Sequence, residues 1–393
     1  MSLRADLFCR VVDNYGDIGV CWRLARRLAQ GPGWRMRLWV DDLRAFARIQ
    51  PGIDPTAARQ RHTGVEIIHW QENAPSPLPV PGDVVIEAFA CDPPAEFVDA
   101  MRAQAAGPSH DASASPVWIN LEYLSAEDWV ARFHTLSSQR PDGLVKYFFF
   151  PGFTAATGGL LREPGLTAER DALQASREAQ NDFLRGLGLD QAALAAHRQG
   201  VRVLSLFCYP RAPTDALAHT LRRRSDSTLI LVPEGVAPGL DEQAGGALRI
   251  ARVPFVAQPD FDRLLWCADL NFVRGEDSFV RAAWAARPLV WHIYPQDGSA
   301  HLEKLEAWLA HYPAPDTART LARAWNCAPR NPDATAPGSP QAHRLGQALE
   351  AALAEPAWSA WQAAAHAWDA QQATGPDLAD KLAIFCAEKL KTR

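Results

Sequence analysis

Short apolar stretches rich in Val, Ile, Leu and Phe alternate along the chain with longer segments that carry apolar residues at helical spacing. The short stretches are almost continuously apolar, as strands are when helices cover both faces of a parallel sheet. This alternation predicts an α/β protein. We expect ten strands, at 7–12, 36–40, 65–70, 84–89, 117–123, 201–209, 227–232, 248–253, 270–274 and 289–294.

Helical patterns fill the segments between these strands, for example at 95–104 and 126–133, and three more close the chain at 343–354, 356–372 and 377–391. The ten strands fall into two groups of five. We therefore predict an N-terminal Rossmann-like domain over 1–165, a helical connector over 166–198 and a C-terminal Rossmann-like domain over 199–360. The last helices, over 361–393, can pack back on the N-terminal domain.

Charge and cysteine content narrow the class of protein. The chain has 40 Lys+Arg and 45 Asp+Glu, a net charge of −5, which does not favour binding to nucleic acid. Its apolar stretches are too short to cross a bilayer, and Met1 leads directly into a strand without the pattern of a signal peptide. The 7 cysteines form no CxxC pair and the 11 histidines show no metal-binding spacing. We expect a cytoplasmic protein without disulfides, membrane contact or a bound metal.

The junction after the first strand, VVDNYGDIGVCWRLARRL, carries an unusual pair of carboxylates. Glycines at the start of a helix let the backbone approach a ligand, and such loops ordinarily cradle phosphate. Asp13 and Asp17 would repel phosphate, so they favour a general base or a cationic substrate. Capping of the helix by either aspartate is the structural alternative, and the residues alone leave it open. The candidate residues in this loop are Asp13, Asn14, Tyr15, Gly16, Asp17 and Gly19.

A second junction follows the strand at 270–274, in the sequence RGEDS. Arg274 and the amides of a helix that starts after Gly275 can hold a diphosphate. Glu276 is too acidic to face phosphates, and it suits hydrogen bonds from sugar hydroxyls instead. The alternative is that Glu276, Asp277 and Ser278 serve only the N-terminus of the helix, although capping does not require an arginine.

Aromatic residues lie at the ends of other predicted strands. Phe207 and Tyr209 end one strand, and Phe255 and Gln258 follow another. Flat rings can stack on a nucleobase, and a glutamine can bind its hydrogen-bonding edge. Open α/β sheets bind ligands at the carboxyl ends of their strands, so we expect all these residues in a shared crevice. Further candidates after strands are Glu122, Tyr123, Tyr294 and Gln296.

Together these motifs resemble those of one family. The chain carries FCRVVDNYGDIGVCWRLARRL at the start, NLEYLSAEDW in the middle and VPFVAQPDFDRLLWCADLNFVRGEDSFVRAAWAARPLVWHIYPQ near the end. These segments are similar to the bacterial protein-arginine rhamnosyltransferases that mature elongation factor P, the EarP family, and the likeness runs to about Leu309. The resemblance implies a glycosyltransferase B-type fold, in which two Rossmann-like domains face each other across a cleft.

The resemblance also implies a reaction. Enzymes of that family transfer L-rhamnose from dTDP-β-L-rhamnose to an arginine guanidinium of elongation factor P, with inversion and without a metal or other cofactor. Asp17 matches the general base and Asp13 the second carboxylate. A guanidinium keeps its proton to a pH above about 12, so a carboxylate base suits it. The positions that match donor-binding residues are Tyr209, Phe255 and Gln258 around the thymidine, and Arg274, Gly275, Glu276, Asp277 and Ser278 around the diphosphate and sugar.

Two other functions stay open on the sequence alone. One is a sugar transferase with a different nucleotide donor or a small-molecule acceptor. The other is a non-catalytic protein that binds a nucleotide sugar, although this function would not require Asp13 and Asp17. The sequence also does not separate these two aspartates as the base.

Overall fold

The structure is a computed structural model that describes residues 2–13, 15–70, 77–106, 115–295, 300–327 and 338–392. The chain divides into two units: unit 1 comprises Met1–Glu163 and Gln372–Arg393, and unit 2 comprises Pro164–Gln371. The sequence-based domain boundaries fall at 165/166 and 360/361, and the boundaries in the structure fall at 163/164 and 371/372.

Unit 1 is built on an eight-stranded sheet in the order β3-β4-β2-β1-β5-β6-β8-β7. The pairs β3–β4 and β7–β8 are antiparallel, and the other neighbours are parallel. The elements of unit 1 are β1 Arg4–Cys9, α1 Gly16–Gln30, β2 Arg35–Val40, α2 Leu43–Ile49, β3 Arg59–His62, β4 Val65–His69, β5 Val84–Ala88, α3 Ala95–Ala105, β6 Val117–Leu121, α4 Val130–Phe133, β7 Ser137–Gln139, β8 Val145–Phe149 and, after unit 2, α15 Leu378–Lys391.

Unit 2 is built on a five-stranded parallel sheet in the order β11-β10-β9-β12-β13. Its elements are α5 Leu166–Ala175, α6 Arg177–Gly186, α7 Gln191–Arg198, β9 Arg202–Leu206, α8 Thr214–Arg222, β10 Thr228–Pro233, a 3-10 turn Leu240–Gln243, β11 Leu248–Val253, α9 Gln258–Cys267, β12 Leu270–Arg274, α10 Asp277–Ala283, β13 Leu289–His292, α11 Ala300–His311, α12 Asp316–Asn326, α13 Pro340–Leu353 and α14 Ala357–Gln372.

Burial explains why these segments become strands. Every residue of β5 and β6 is buried, because helices cover both faces of the sheet around them. On one face of unit 1 the rings of Phe8, Trp39 and Phe97 pack together, with centroids 4.9 Å apart for Phe8–Trp39 and 5.4 Å apart for Trp39–Phe97. These contacts hold α3 against β1 and β2.

The helices at 166–198 and at the end of the chain belong to different units. Leu184 and Leu194, from α6 and α7, share one buried cluster with Val203 and Leu229 of the sheet in unit 2. The C-terminal helix α15 lies in unit 1, where Arg27 of α1 bonds Asp377 at 3.0 Å.

Two arginine–aspartate pairs in unit 2 differ in burial. Arg281 of α10 makes two bonds of 2.8 Å to Asp262 of α9, and both side chains are buried. Arg263 and Asp260, also on α9, form an exposed pair at 3.2 Å.

Several sequence-based boundaries were wrong. The strands predicted at 117–123, 201–209 and 289–294 end at Leu121, Leu206 and His292. The first strand, predicted at 7–12, ends at Cys9 because carboxylates bind the next amides: the N–H of Val11 donates to Asp41 at 2.9 Å and that of Val12 to Asp17 at 2.7 Å. Val12 is consequently outside the sheet and 76% exposed. The helix predicted at 126–133 is only the single turn α4. Within the described residues, no helix is both long enough and apolar enough to cross a membrane.

Candidate acceptor and donor sites

Asp17 lies in the first turn of α1 and is only 3% exposed. Its Oδ2 accepts the N–H of Val12 at 2.7 Å and the N–H of Asp13 at 2.9 Å, so the carboxylate turns back toward the loop. The residue that precedes the helix is Tyr15, whose side chain makes no capping bond. The alternative that Asp17 merely caps the helix is therefore wrong. Asn14, a candidate from the sequence, lies outside the described residues.

The groups around Asp17 shift its pKa in opposite directions. Burial raises its pKa from the ordinary value, and the charge of Asp13 raises it further. Hydrogen bonds from the loop amides and from the Tyr123 hydroxyl lower the pKa, because they favour the ionised carboxylate. Asp17 is consequently a stronger base than an exposed aspartate, held by specific donors.

Tyr123 reaches Asp17 from the end of β6. Its ring stacks on Phe89 with centroids 4.3 Å apart and planes 11° apart, and the side chain stays 39% exposed. Phe89 follows β5 and has a φ of +58°, a left-handed conformation that non-glycine residues rarely adopt. Tyr123 was a sequence candidate. Phe89 was missed, because its role comes from backbone conformation and stacking.

Glu122 lies beside Tyr123 and is held by neighbouring polar groups. The Asn120 side chain donates to Glu122 Oε1 at 2.6 Å, and the N–H of Ala90 donates to the Asn120 side chain at 3.1 Å. Asn120 thus links the loops after β5 and β6, which carry Phe89 and Tyr123. Sequence reasoning missed Asn120, although its position near the end of a strand was a usable signal.

Arg274 ends β12 and lies between two aromatic rings. Its guanidinium carbon is 4.6 Å from the ring centroid of Phe207 and 4.8 Å from that of Tyr209. Gly275 follows with a φ of +63°, and the Trp291 indole donates to its carbonyl at 2.7 Å. The stacked rings and the fixed turn restrict the guanidinium while leaving it able to bind an anion.

The helix after Arg274 is short. Helix α10 has only seven residues, Asp277–Ala283. Glu276 precedes it and makes no capping bond through its side chain. The free amides that bind anions belong to the first turn of a helix, and α10 has that turn. Asp277 and Ser278 lie in its first turn.

Tyr209 is buried and packs edge-on against His292 and Tyr294, with centroids 5.2 Å and 5.5 Å away. The N–H of Tyr209 donates to His292 Nδ1 at 3.3 Å. Burial, with the charge of Arg274, lowers the pKa of His292 to about 3, so the imidazole is neutral and can accept this bond. Tyr294 is largely exposed at the same edge of the sheet.

The remaining candidate residues from the sequence lie partly in unit 1 and partly in unit 2. In unit 1, Gly16 and Gly19 lie in α1, in the turns that carry and follow Asp17. In unit 2, Phe255 is half-buried after β11, and the buried Gln258 begins α9. Gln296 lies outside the described residues. Within the described part of the chain, no group of three or more His, Cys, Asp or Glu side chains could hold a metal ion.

Comparisons with known proteins show the family to which the chain belongs. The model of the family described as "Elongation-Factor P (EF-P) rhamnosyltransferase EarP" matches residues 5–387. A protein-arginine rhamnosyltransferase of Pseudomonas putida KT2440 is 47% identical to this chain over 99% of it and 100% of that protein. A solved structure, "Structural basis for EarP-mediated arginine glycosylation of translation elongation factor EF-P", has a TM-score of 0.63 and 34% identity, covering 98% of this chain and 99% of its own.

A more distant structure, UGT2 of Phytolacca americana, is similar in fold alone. It has a TM-score of 0.54 and 11% identity, and the match covers 99% of both chains. The two structural similarities confirm the predicted fold class, a glycosyltransferase B-type fold with two Rossmann-like domains.

Proposed function

This chain belongs to the EarP family of elongation factor P rhamnosyltransferases, and we propose from that membership that it transfers L-rhamnose from dTDP-β-L-rhamnose to an arginine guanidinium of elongation factor P. The predicted enzyme class, a glycosyltransferase, is confirmed by the family and by the curated relative. The proposed acceptor is supported above all by the buried Asp17 beside Asp13, because a cationic acceptor needs carboxylates, whereas the proposed donor rests on the family membership.

Asp17 is the proposed general base. Both loop amides bind its Oδ2, which fixes the orientation of the carboxylate that we assign to the acceptor guanidinium. Burial makes Asp17 more basic than an ordinary aspartate, which favours proton transfer from a group as weakly acidic as guanidinium. Asp13 supplies a second negative charge that attracts and orients the cation.

Arg274 is the proposed partner of the donor diphosphate. Its guanidinium lies over Phe207 and Tyr209, and a planar fork fixed in this way can bind two phosphate oxygens. We assign Tyr209, Phe255 and Gln258 to the thymidine, as the family resemblance implies. Glu276 is assigned to the sugar hydroxyls, and Asp277 and Ser278 to the remainder of the donor segment.

The proposed step is one displacement with inversion. A guanidinium nitrogen attacks the anomeric carbon, the bond from that carbon to the diphosphate oxygen breaks, and dTDP leaves with the electron pair. The proton lost by the nitrogen passes to Asp17. Arg274 stabilises the charge that develops on the leaving diphosphate, so we assign no metal ion to this step.

Intact-protein mass spectrometry of elongation factor P, after incubation with this enzyme and dTDP-β-L-rhamnose, tests the proposal. We expect a gain of one deoxyhexose on an arginine. Asp17→Asn should abolish the gain, whereas the control Asp99→Asn, on the exposed face of α3, should not.

Each other outcome has a definite meaning. No gain in mass, with dTDP still bound, would refute elongation factor P as the acceptor and leave a transferase for another acceptor. Hydrolysis of a different nucleotide sugar would refute the assignment of dTDP-β-L-rhamnose as the donor. Full activity of Asp17→Asn would refute the assignment of Asp17 as the base.

A further inference from the structure

A cavity of about 420 Å³ lies in unit 1 at the edge of the sheet opposite Asp17. It opens where β1, β2 and β4 begin, whereas Asp17 follows the carboxyl end of β1. Four arginines dominate its wall, and the residues that matter here are Arg4, Arg35, Arg37, Arg61, Glu66 and Trp34. The cavity is therefore distinct from the proposed acceptor site.

The strand register brings like charges together in this wall. Arg4 of β1 is the direct partner of Arg35 on the parallel strand β2. Arg37 lies two residues beyond Arg35, and successive side chains of a strand alternate between faces, so both point to the same face. Like charges on directly paired residues of neighbouring strands are destabilising.

Carboxylates within unit 1 neutralise only part of this charge. Asp6 binds Arg37 at 2.7 Å. Asp83 is 3.8 Å from Arg4, and the side chains of Asp83 and Arg4 are both well exposed. Glu66, the carboxylate in the wall, is already bound by Arg59 of β3.

Two of the arginines are not bonded to a carboxylate of the described chain, although Arg61 lies directly opposite Glu66 in the β3–β4 pair. Among the residues that the structure describes, Arg35 and Arg61 form no ion pair. Both side chains are exposed toward the cavity, and its wall carries an excess of positive charge.

We propose that this cavity binds a small phosphate-bearing anion, with Arg4, Arg35 and Arg61 as its principal partners. Guanidinium groups bind phosphate oxygens in pairs, and three of them from neighbouring strands match the several oxygens of a phosphate or diphosphate. The volume lies within the range of small-molecule sites, about 300–1,000 Å³, which favours a metabolite over a macromolecular surface. The site is independent of the transfer reaction.

Calorimetric titration of the full-length protein tests this site. Saturating dTDP is added first to occupy the donor site, and inorganic pyrophosphate and glucose 6-phosphate are then titrated separately. We expect the dissociation constant of the better ligand to rise at least tenfold in Arg35→Gln/Arg61→Gln. The matched control Arg44→Gln/Arg132→Gln removes two exposed positive charges from helices of the same unit and should leave the constant unchanged.

The comparison of ligands identifies the source of the phosphate. Tighter binding of pyrophosphate indicates a free diphosphate, and tighter binding of glucose 6-phosphate indicates a phosphorylated sugar. Absence of binding by both, or equal binding by the Arg35→Gln/Arg61→Gln variant and wild type, would overturn the proposal. If the double variant does not bind dTDP and is misfolded, Arg35→Lys replaces it, since lysine keeps the charge but loses the paired bonds.

Discussion

The hydrogen bond from Tyr123 to Asp17 offers a direct test of the base. Tyr123→Phe keeps the ring that stacks on Phe89 and removes only the hydroxyl. The ionised carboxylate loses a donor, so the pKa of Asp17 should rise further above its ordinary value. A base must be deprotonated to act, so the acidic limb of the pH profile of kcat/KM should move to higher pH.

The size of the shift follows from the exposure of Tyr123. A hydrogen bond to a charged group contributes about 1.5–3 kcal/mol when water cannot replace it. Tyr123 is 39% exposed, so water replaces part of the bond in the variant, and we take roughly half of that value. At about 1.4 kcal/mol per pH unit, the limb should move upward by roughly half a unit to one unit.

The assay is the initial rate of elongation factor P modification at subsaturating acceptor, measured from pH 5 upward. Tyr147→Phe is the matched control, since Tyr147 contacts Phe385 rather than Asp17 and its loss should leave the limb in place. Asp13→Asn should move the limb to lower pH, because the charge of Asp13 raises the pKa of Asp17. An unchanged limb in Tyr123→Phe, or a shift in the same direction for both variants, would refute the assignment of Asp17.

Three further outcomes follow from the structure. Asp17→Asn should raise Tm at pH 7.5 by a few degrees, because burial raises the pKa of Asp17 and its ionisation in the folded state therefore costs stability. The difference in Tm between the variant and the wild type should shrink as the pH falls toward about 4, where the aspartate of the unfolded chain is half protonated. Arg281→Ala should cost about 3–5 kcal/mol in urea unfolding and Arg263→Ala less than about 1, because only the first pair is buried, and equal losses would contradict this account. Arg274→Lys should weaken dTDP binding by calorimetry about tenfold through loss of ring stacking and paired bonds, and an unchanged affinity would place the diphosphate elsewhere.

The sequence predicts the apolar strands well and the polar or very short strands poorly. All ten predicted strands occur in the structure, because each of them contains a mostly apolar run. The pattern misses β3, whose residues RQRH are polar, and the three-residue β7. These strands exist through antiparallel pairing with β4 and β8, and pairing leaves no apolar signature. The strand β8, VKYFF, is not among the predicted strands either.

The candidate site was predicted in its residue types and only partly in its contacts. Strand ends point to Asp17, Arg274 and Tyr209, because open α/β sheets bind ligands there. The stacking of Arg274 on two rings, the left-handed Phe89 and the neutral His292 depend on residues distant in sequence. No local pattern encodes such contacts.

The two aspartates of the first loop show that the sequence does not contain the local environment of a side chain. Asp13 and Asp17 are chemically identical, four residues apart, and either could be read as a base or a cap. In the structure the carboxylate of Asp17 is withdrawn from water and bound to the amides of Val12 and Asp13. Burial raises its basicity while these bonds and Tyr123 keep the ionised form accessible, and a base needs both conditions. If Asp17 is the base, as proposed, the loop amides and Tyr123 set its basicity, and substitutions at Tyr123 should change the rate of transfer.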